Sequence, residues 1–395
     1  MSQINVSKAL AETKALVTAL EAFDGTDAQH LSLLGRTDSV RRALEQPYDA
    51  VTRWIENMSV AASVYTLIRI KTLENIPYKG SVSAIELAKR CNTDVSIITR
   101  AMRILIANGI AVETAANEYR QNSLSAAFKP NDLAGYVWLW VEYMKSWVAL
   151  PDYISSHAPD DLYDLGKSPY AFATGHEGKT YYEVVGLDPE QRHLWNMGVA
   201  KMDKNFPVLG MFPFSSLESS VKQDLGRPFI VNISGGRGQE LREIQKECDG
   251  GWGGKLILQD LPIVIDSLRD EDLHGIERMA YNFYDPQPVK NAHVYLIRRI
   301  IHDHLDPVCI KLLKNTASAM GPTSRLIICD MILPDRVEDG LMQLYWLDLC
   351  LVSMSGKIRT VGEFQNLFQR SGLELVQVYR SNLNNVAMLE ARRKF

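Results

Sequence analysis

Two hydrophobic rhythms run along the chain. Up to about residue 125 the apolar positions recur at helical spacing. The stretches 1–24 and 47–72 read as long helices rich in apolar residues. Within 81–122, Ile85, Leu87, Val95, Ile98, Met102, Leu105 and Ile106 suit a helix, a turn and a second helix. The following "GIAVETAANEYRQN" reads as two strands around an Asn turn, which completes a winged-helix pattern. From about 223 the rhythm changes to short apolar runs separated by amphipathic stretches. Strands are expected at 228–233, 255–259, 276–281, 292–297, 325–330, 374–380 and 386–390, and helices at 238–248, 262–268, 306–320 and 360–372. Such alternation predicts an α/β class with a Rossmann-like, doubly wound sheet whose ligand sits outside the carboxyl ends of the strands. Between the two regions lies a segment dense in aromatics and methionine. The expected organisation is therefore 1–125, 126–222 and 223–395.

Composition narrows the function classes. The chain has 395 residues, of which 46% are hydrophobic and 23% charged, with a formal net charge of -4, so nothing draws it as a whole toward nucleic acid or an anionic membrane. The second helix of the winged pattern, 95–107, carries only Arg100 and Arg103 as cations and is otherwise mostly apolar, a poor reader of DNA. Its apolar neighbours, 1–24 and 47–72, are better explained as a face covered by a second copy, so a homodimer is expected. No apolar run approaches a membrane span, and the acidic, amphipathic N-terminus is no signal peptide, so a cytoplasmic protein is expected. Cys91, Cys248, Cys309, Cys329 and Cys350 form no CxxC pair, which argues against zinc or a disulfide framework and for buried, reduced thiols.

The chemistry concentrates at the strand ends of the second region. "VNISGGRGQELREI", residues 231–244, is a strand, a glycine turn and a helix start, a place where backbone N–H groups approach a polar ligand. The turn, Ser234, Gly235, Gly236, Arg237 and Gly238, lacks the G-x-G-x-x-G register of a dinucleotide site. The next strand ends in Asp260 and Leu261, an acid placed for ribose hydroxyls, and the third in Asn282 and Phe283, placed beside an adenine. No lysine in the first loop grips a phosphate. A nucleoside without pyrophosphate fits best, and S-adenosylmethionine is the candidate.

As an ordered set, "VNISGGRGQELREI", "LILQDLPIVI", "FYDPQPVKNAHVYLIRRIIHDHLDPVCIKLLKN", "SRLIICDMILPD" and "LDLCLVSMSGKIRTVGEFQNLFQRSGLELVQV" resemble the motifs of the plant caffeate-type and fungal S-adenosylmethionine-dependent O-methyltransferases, over most of 190–395. The winged front half agrees with that family's dimerisation domain. The resemblance implies that the glycine turn holds methionine and ribose, Asp260 the ribose hydroxyls, Asn282 and Phe283 the adenine edge, and that Arg298 lies near the cofactor where the family often has Lys. It implies His302 of "IIHDH" as the general base, followed by Asp303, with Asp330 as its orienting acid. A base is needed because a phenol near pKa ~10 is a poor nucleophile at neutral pH, whereas an imidazole near ~6.5 accepts its proton. Trp138, Trp140, Tyr143, Trp147, Trp195, Met197, Met202 and Phe206 of the aromatic segment are candidates to line a pocket for a flat or extended apolar ligand.

Four positions depart from the family pattern. Asn232 replaces an acid and Ser234 a glycine, the latter tolerable if φ stays negative. His304 replaces tryptophan. Ile358 of "SGKIRT" stands where a second acid should flank the histidine, a loss worth roughly 100-fold or more in base catalysis. Two activities remain open. One is O-methyl transfer to a natural-product hydroxyl. The other is that of the leporin-type pericyclases, similar fungal relatives that keep S-adenosylmethionine as a fixed cation during dehydration and Diels–Alder, hetero-Diels–Alder or Alder-ene cyclisation. For the latter, His302, Asp303, Lys204 and Arg299 would donate hydrogen bonds or protons, and Met354, Trp346 and Met197 would shape the cavity together with Ile358.

Overall fold

The computed structural model describes residues 4–130, 132–202, 206–269, 271 and 273–394. The chain divides into two compact units, Met1–Met144 with Gly186–Lys201, and Lys145–Val185 with Met202–Phe395, so the aromatic segment 126–222 is shared between them. Among the described residues no helix is long and apolar enough to cross a membrane.

The first unit opens with helices Val6–Glu21, Asp27–Leu44 and Pro47–Arg69. Helices Ala84–Arg90 and Val95–Ala107 follow, together with the small antiparallel strands β1 (Val82–Ser83), β2 (Ala111–Ala115) and β3 (Glu118–Gln121), in the order β1-β3-β2. Asp94 caps the second of these helices by accepting from the Ser96 N–H at 2.8 Å, and Asn117 turns the hairpin at φ 58. Leu87, Ile98, Met102 and Leu105 are buried as their spacing requires. Ile85 and Val95 are not. Ile85 is 76% exposed because, one residue after Ala84, it points about 100° round the helix from the apolar stripe set by Ala84, Leu87 and Ala88.

The second unit is built on β4 (Ile230–Ile233), β5 (Leu256–Asp260), β6 (Ile276–Ala280), β7 (Val294–Arg298), β8 (Arg325–Leu333), β9 (Arg359–Thr360), β10 (Leu373–Arg380) and β11 (Val386–Arg393). Among the described residues they form one eight-stranded sheet, in the order β10-β11-β8-β7-β4-β5-β6, with β9 against β8. Strands β6, β5, β4, β7 and β8 are parallel, and β11 and β10 close the sheet antiparallel. Strand β4 is buried at all four residues, as a central parallel strand covered on both faces must be, whereas β10 at the edge is mostly half-buried or exposed. After β6 the chain returns past β4 to lay down β7 on its other side. The carboxyl ends of β4 and its neighbours therefore flank a topological switch point.

Helices Gln239–Glu247, Pro262–Ile265, Asp306–Ala317 and Val361–Arg370 lie where the pattern predicts them. Helix Met342–Val352 was not anticipated, since its sequence is apolar almost all round and carries no helical period. All five cysteines are free of disulfides; four are buried and Cys91 is half-buried.

Candidate functional site

The glycine turn leaves β4 under tight constraint. A Cβ on Gly235 would stand 2.6 Å from Leu258 Cδ1 and would collide with the Asn232 amide, so only glycine fits. Gly236 donates its N–H to Asp260 Oδ2 at 2.9 Å, and Leu261 donates to Asp260 Oδ1 at 2.7 Å. Asp260 thus ties the turn to the end of β5 while its oxygens keep further acceptor capacity for ribose hydroxyls. Burial pushes its carboxyl above the usual range, against the pull of those two N–H groups. Ser234 departs from the sequence expectation: its φ is 55, in the left-handed region, so the serine Cβ is strained where glycine would not be.

A cofactor with a polar end fits these residues. Asn232 is fully buried, and neither its amide oxygen nor its nitrogen has a partner. Buried amides are rarely left so, and a ligand amine or carboxylate above the turn would complete it. Beyond β6, Asn282 accepts from the Tyr284 N–H at 3.0 Å, which bends the loop, and Asn315 holds the Phe283 carbonyl at 3.0 Å. The Phe283 ring meets His304 edge-on at 5.7 Å, so His304 fills an aromatic place, and burial holds its imidazole below the usual range.

Arg298 has protein partners of its own. It is buried at the end of β7, paired with Glu240 Oε1 at 2.5 Å and donating to the Phe206 carbonyl at 2.7 Å. Glu240 lies in the first turn of the helix that follows the glycine turn. The ion pair joins that helix to β7, and the bond to the Phe206 carbonyl ties in the segment bearing Phe206.

His302 sits on the one-turn helix Ile301–Asp303 just past β7. Its Nδ1 lies 2.5 Å from Asp330 Oδ1 on β8, and its backbone N–H donates to Asp330 Oδ2 at 3.2 Å. On the other side, Nε2 lies 3.3 Å from Asp303 Oδ1, and Asp303 Oδ2 accepts from the Tyr182 hydroxyl at 2.7 Å. Burial pulls the imidazole toward neutrality, but the carboxylates of Asp330 and Asp303 outweigh it, and the group is held above its ordinary value. The Phe206 ring lies 6.3 Å from the His302 ring, centroid to centroid, and the Arg299 guanidinium stands 4.7 Å from the Phe206 ring centroid.

The segment after helix Met342–Val352 clamps this loop. Gly356 lies so close to the His302 carbonyl that a Cβ there would also reach 3.0 Å from the Asp303 carbonyl carbon. Lys357 donates its N–H to the His302 carbonyl at 2.9 Å. Arg359, buried, donates to the carbonyls of Ile301 and His304, each at 2.8 Å, and pairs with Asp306 at 2.8 Å. Ile358, between them, is 2% exposed and donates its N–H to Asp348 Oδ1 at 2.6 Å.

His302, Asp303, Asp330, Phe206 and the clamp bearing Ile358 therefore come together. Met354 is buried on the turn before Gly356, and Trp346 and Met202 are half-buried in the same unit. Trp140 and Met197 belong to the first unit, where Trp140 packs on Tyr136 and Tyr143 at 5.5 and 5.7 Å. Lys204 lies outside the described residues. Sequence reasoning missed Glu240, Arg359 and Tyr182. The first two sit inside recognisable motifs, whereas nothing in the local sequence marks Tyr182.

A sheet of this order, with acids and glycines at the switch point, defines the class I S-adenosylmethionine methyltransferase fold. Residues 147–374 match the O-methyltransferase domain. The chain is 34% identical over 387 residues to O-methyltransferase hmp5 of Hypomyces subiculosus, covering 96% of each. Among solved structures it resembles OxaC in complex with SAH and oxaline, at 26% identity and TM-score 0.85, over 98% of this chain and 99% of that one. It also shares its fold with LepI in complex with SAM, at 21% identity and TM-score 0.79, over 99% and 100% of the two chains. The chain belongs to the O-methyltransferase family. It is an enzyme of that fold, and its cofactor is S-adenosylmethionine.

Proposed function

We propose that this protein transfers a methyl group from S-adenosylmethionine to a hydroxyl of an aromatic or polyketide-like natural product, with His302 as general base. The observation that carries this reading is the 2.5 Å contact between His302 Nδ1 and Asp330 Oδ1. A buried carboxylate on Nδ1 fixes the tautomer, leaves Nε2 as the nitrogen that takes the substrate proton and stabilises the imidazolium once it forms. The bound cofactor supplies a methyl on a positively charged sulfur, an electrophile that needs no further activation. Ser234, Gly235, Gly236 and Gly238 would hold its methionine portion, Asp260 and Leu261 its ribose, and Asn282 and Phe283 its adenine. Nε2 of His302 accepts the hydroxyl proton, and Phe206, Met354 and Ile358 exclude water around it. Transfer of a labelled methyl to a new product tests the reading.

Ile358 favours a second reading. A buried isoleucine where a second acid would stand suits dehydration and pericyclic closure, which need a shaped apolar cavity and a few donors more than an oriented strong base. His302, Asp303 and Arg299 would then serve as donors, and S-adenosylmethionine would remain intact.

The N-terminal helices are read as a subunit interface. Leu10, Val17, Leu20, Trp54, Ile55 and Met58 are all exposed on them, large apolar side chains that a second copy would cover. Light scattering should give the mass of two chains; a stable monomer contradicts this.

A further inference from the structure

We infer that Tyr182 is a positioning residue of the proton-handling site: its hydroxyl holds Asp303 against Nε2 of His302, so that a substrate hydroxyl reaches that nitrogen only by taking over the Asp303 contact. The inference rests on reading His302 as the group that handles the proton.

The geometry is a chain of four groups. Tyr182 donates to Asp303 Oδ2 at 2.7 Å, Asp303 Oδ1 lies 3.3 Å from His302 Nε2, and His302 Nδ1 lies 2.5 Å from Asp330 Oδ1. Both ring nitrogens face a carboxylate, and Asp303 occupies the one that must receive the substrate proton. A carboxylate beside an imidazole is free to rotate unless its second oxygen is anchored. Tyr182, 121 residues away in sequence, is that anchor.

The anchor is itself fixed. Tyr182 packs edge-on against Tyr181 at 5.4 Å, and Tyr181, buried, against Tyr170 at 5.0 Å. Tyr170 donates its N–H to the Ser353 carbonyl at 3.0 Å, on the turn that leads to Gly356 and the His302 carbonyl. One turn therefore touches both the aromatic support of Tyr182 and the backbone of His302. Enclosure of the hydroxyl and the Asp303 carboxylate hold the Tyr182 phenol well above its usual range, so it stays a donor. The residue as a whole is 45% exposed, so the adjacent carboxylate, a direct contact, carries that direction more firmly than burial does. The titratable and charged groups facing His302 are Asp330, Asp303, Arg299 and His304; those facing Tyr182 are Asp303, Tyr181 and Arg299.

The test is a nitrogen-15 NMR titration of the imidazoles in the full chain, with the His302 signal among the eight histidines identified by its loss in His302→Gln. Asp303→Asn should lower the His302 midpoint by about one unit or more, the size of an opposite charge at this range. Tyr182→Phe, with Asp303 intact but unanchored, should lower it in the same direction by a smaller amount. An unchanged or raised midpoint in Tyr182→Phe overturns the role of Tyr182, and an unchanged midpoint in Asp303→Asn overturns the placement of Asp303 on Nε2. If Tyr182→Phe does not fold, Tyr182→Met reads the same midpoint. No turnover is involved, so the outcome is separate from whether a methyl group is transferred.

Discussion

Replacing Asp330 by asparagine isolates the charge behind His302 while keeping the shape of the side chain. Asp330 is fully buried and serves three donors: Oδ1 takes His302 Nδ1 at 2.5 Å and the Met331 N–H at 2.8 Å, and Oδ2 takes the His302 N–H at 3.2 Å. An amide has one oxygen and can be placed in two ways. With its oxygen at the Oδ1 position, the NH2 faces the His302 N–H; the longest bond is lost, the tautomer survives, but the negative charge behind the imidazolium is gone. With its oxygen at the Oδ2 position, the NH2 faces Nδ1 and the Met331 N–H, and the imidazole proton is driven to Nε2, where the substrate proton must go. The first arrangement forfeits less hydrogen bonding and should prevail. A positioned general base is worth about 10²–10⁴-fold, the upper end applying when the tautomer is wrong. Asp330→Asn should therefore lower single-turnover methyl transfer by about 10²-fold or more. The unpaired N–H should cost about 1–3 kcal/mol of stability. The assay is mass spectrometry of a deuterated methyl on the product, with cofactor affinity measured by calorimetry on the same samples. A rate equal to wild type, or a loss fully accounted for by weaker cofactor binding, would refute the reasoning.

Asp260→Ala removes both the anchor of the Gly236 N–H and the expected ribose acceptor, and should abolish S-adenosylmethionine binding in calorimetry; unchanged affinity refutes the placement. Ser234→Gly relieves a left-handed φ of 55 that costs about 1–2 kcal/mol, less the roughly 0.5–1 kcal/mol of extra chain entropy in glycine. The denaturation midpoint should rise at unchanged slope, with cofactor affinity at least as tight, and a fall contradicts the strain. Because His302 is held above its ordinary value and must be deprotonated to act, the acid limb of turnover should lie above pH ~6.5. The same sign makes the His302 contribution to stability fully present below pH ~6.5 and lost as pH rises through the raised value. An acid limb below pH 6 would show that another group sets it.

The sheet was legible because its central strands are buried on both faces and read as apolar runs, with Asp260 ending one and His302 a few residues past another. The hairpin was legible from Asn117, whose side chain tolerates the left-handed turn. What escaped has physical reasons. Helix Met342–Val352 is apolar almost all round, so no period betrays it. The positive φ of Ser234 is a property of the turn that no neighbouring residue announces. The pairing of Arg298 escaped because Glu240 lies 58 residues earlier and meets it only once the helix packs on the sheet. Tyr182 sits in an aromatic segment where most rings are core, and its link to Asp303 exists only in three dimensions.

The most direct test of the central claim is incubation of the purified enzyme with methyl-deuterated S-adenosylmethionine and an extract from a strain lacking its gene, followed by mass spectrometry. Methyl transfer with His302 as base gives a new product carrying the labelled methyl, and S-adenosylhomocysteine accumulates. A new unlabelled isomer or dehydrated product, with the cofactor intact, would contradict it and leave the turn at Ser234–Gly238 holding a charge that is never spent.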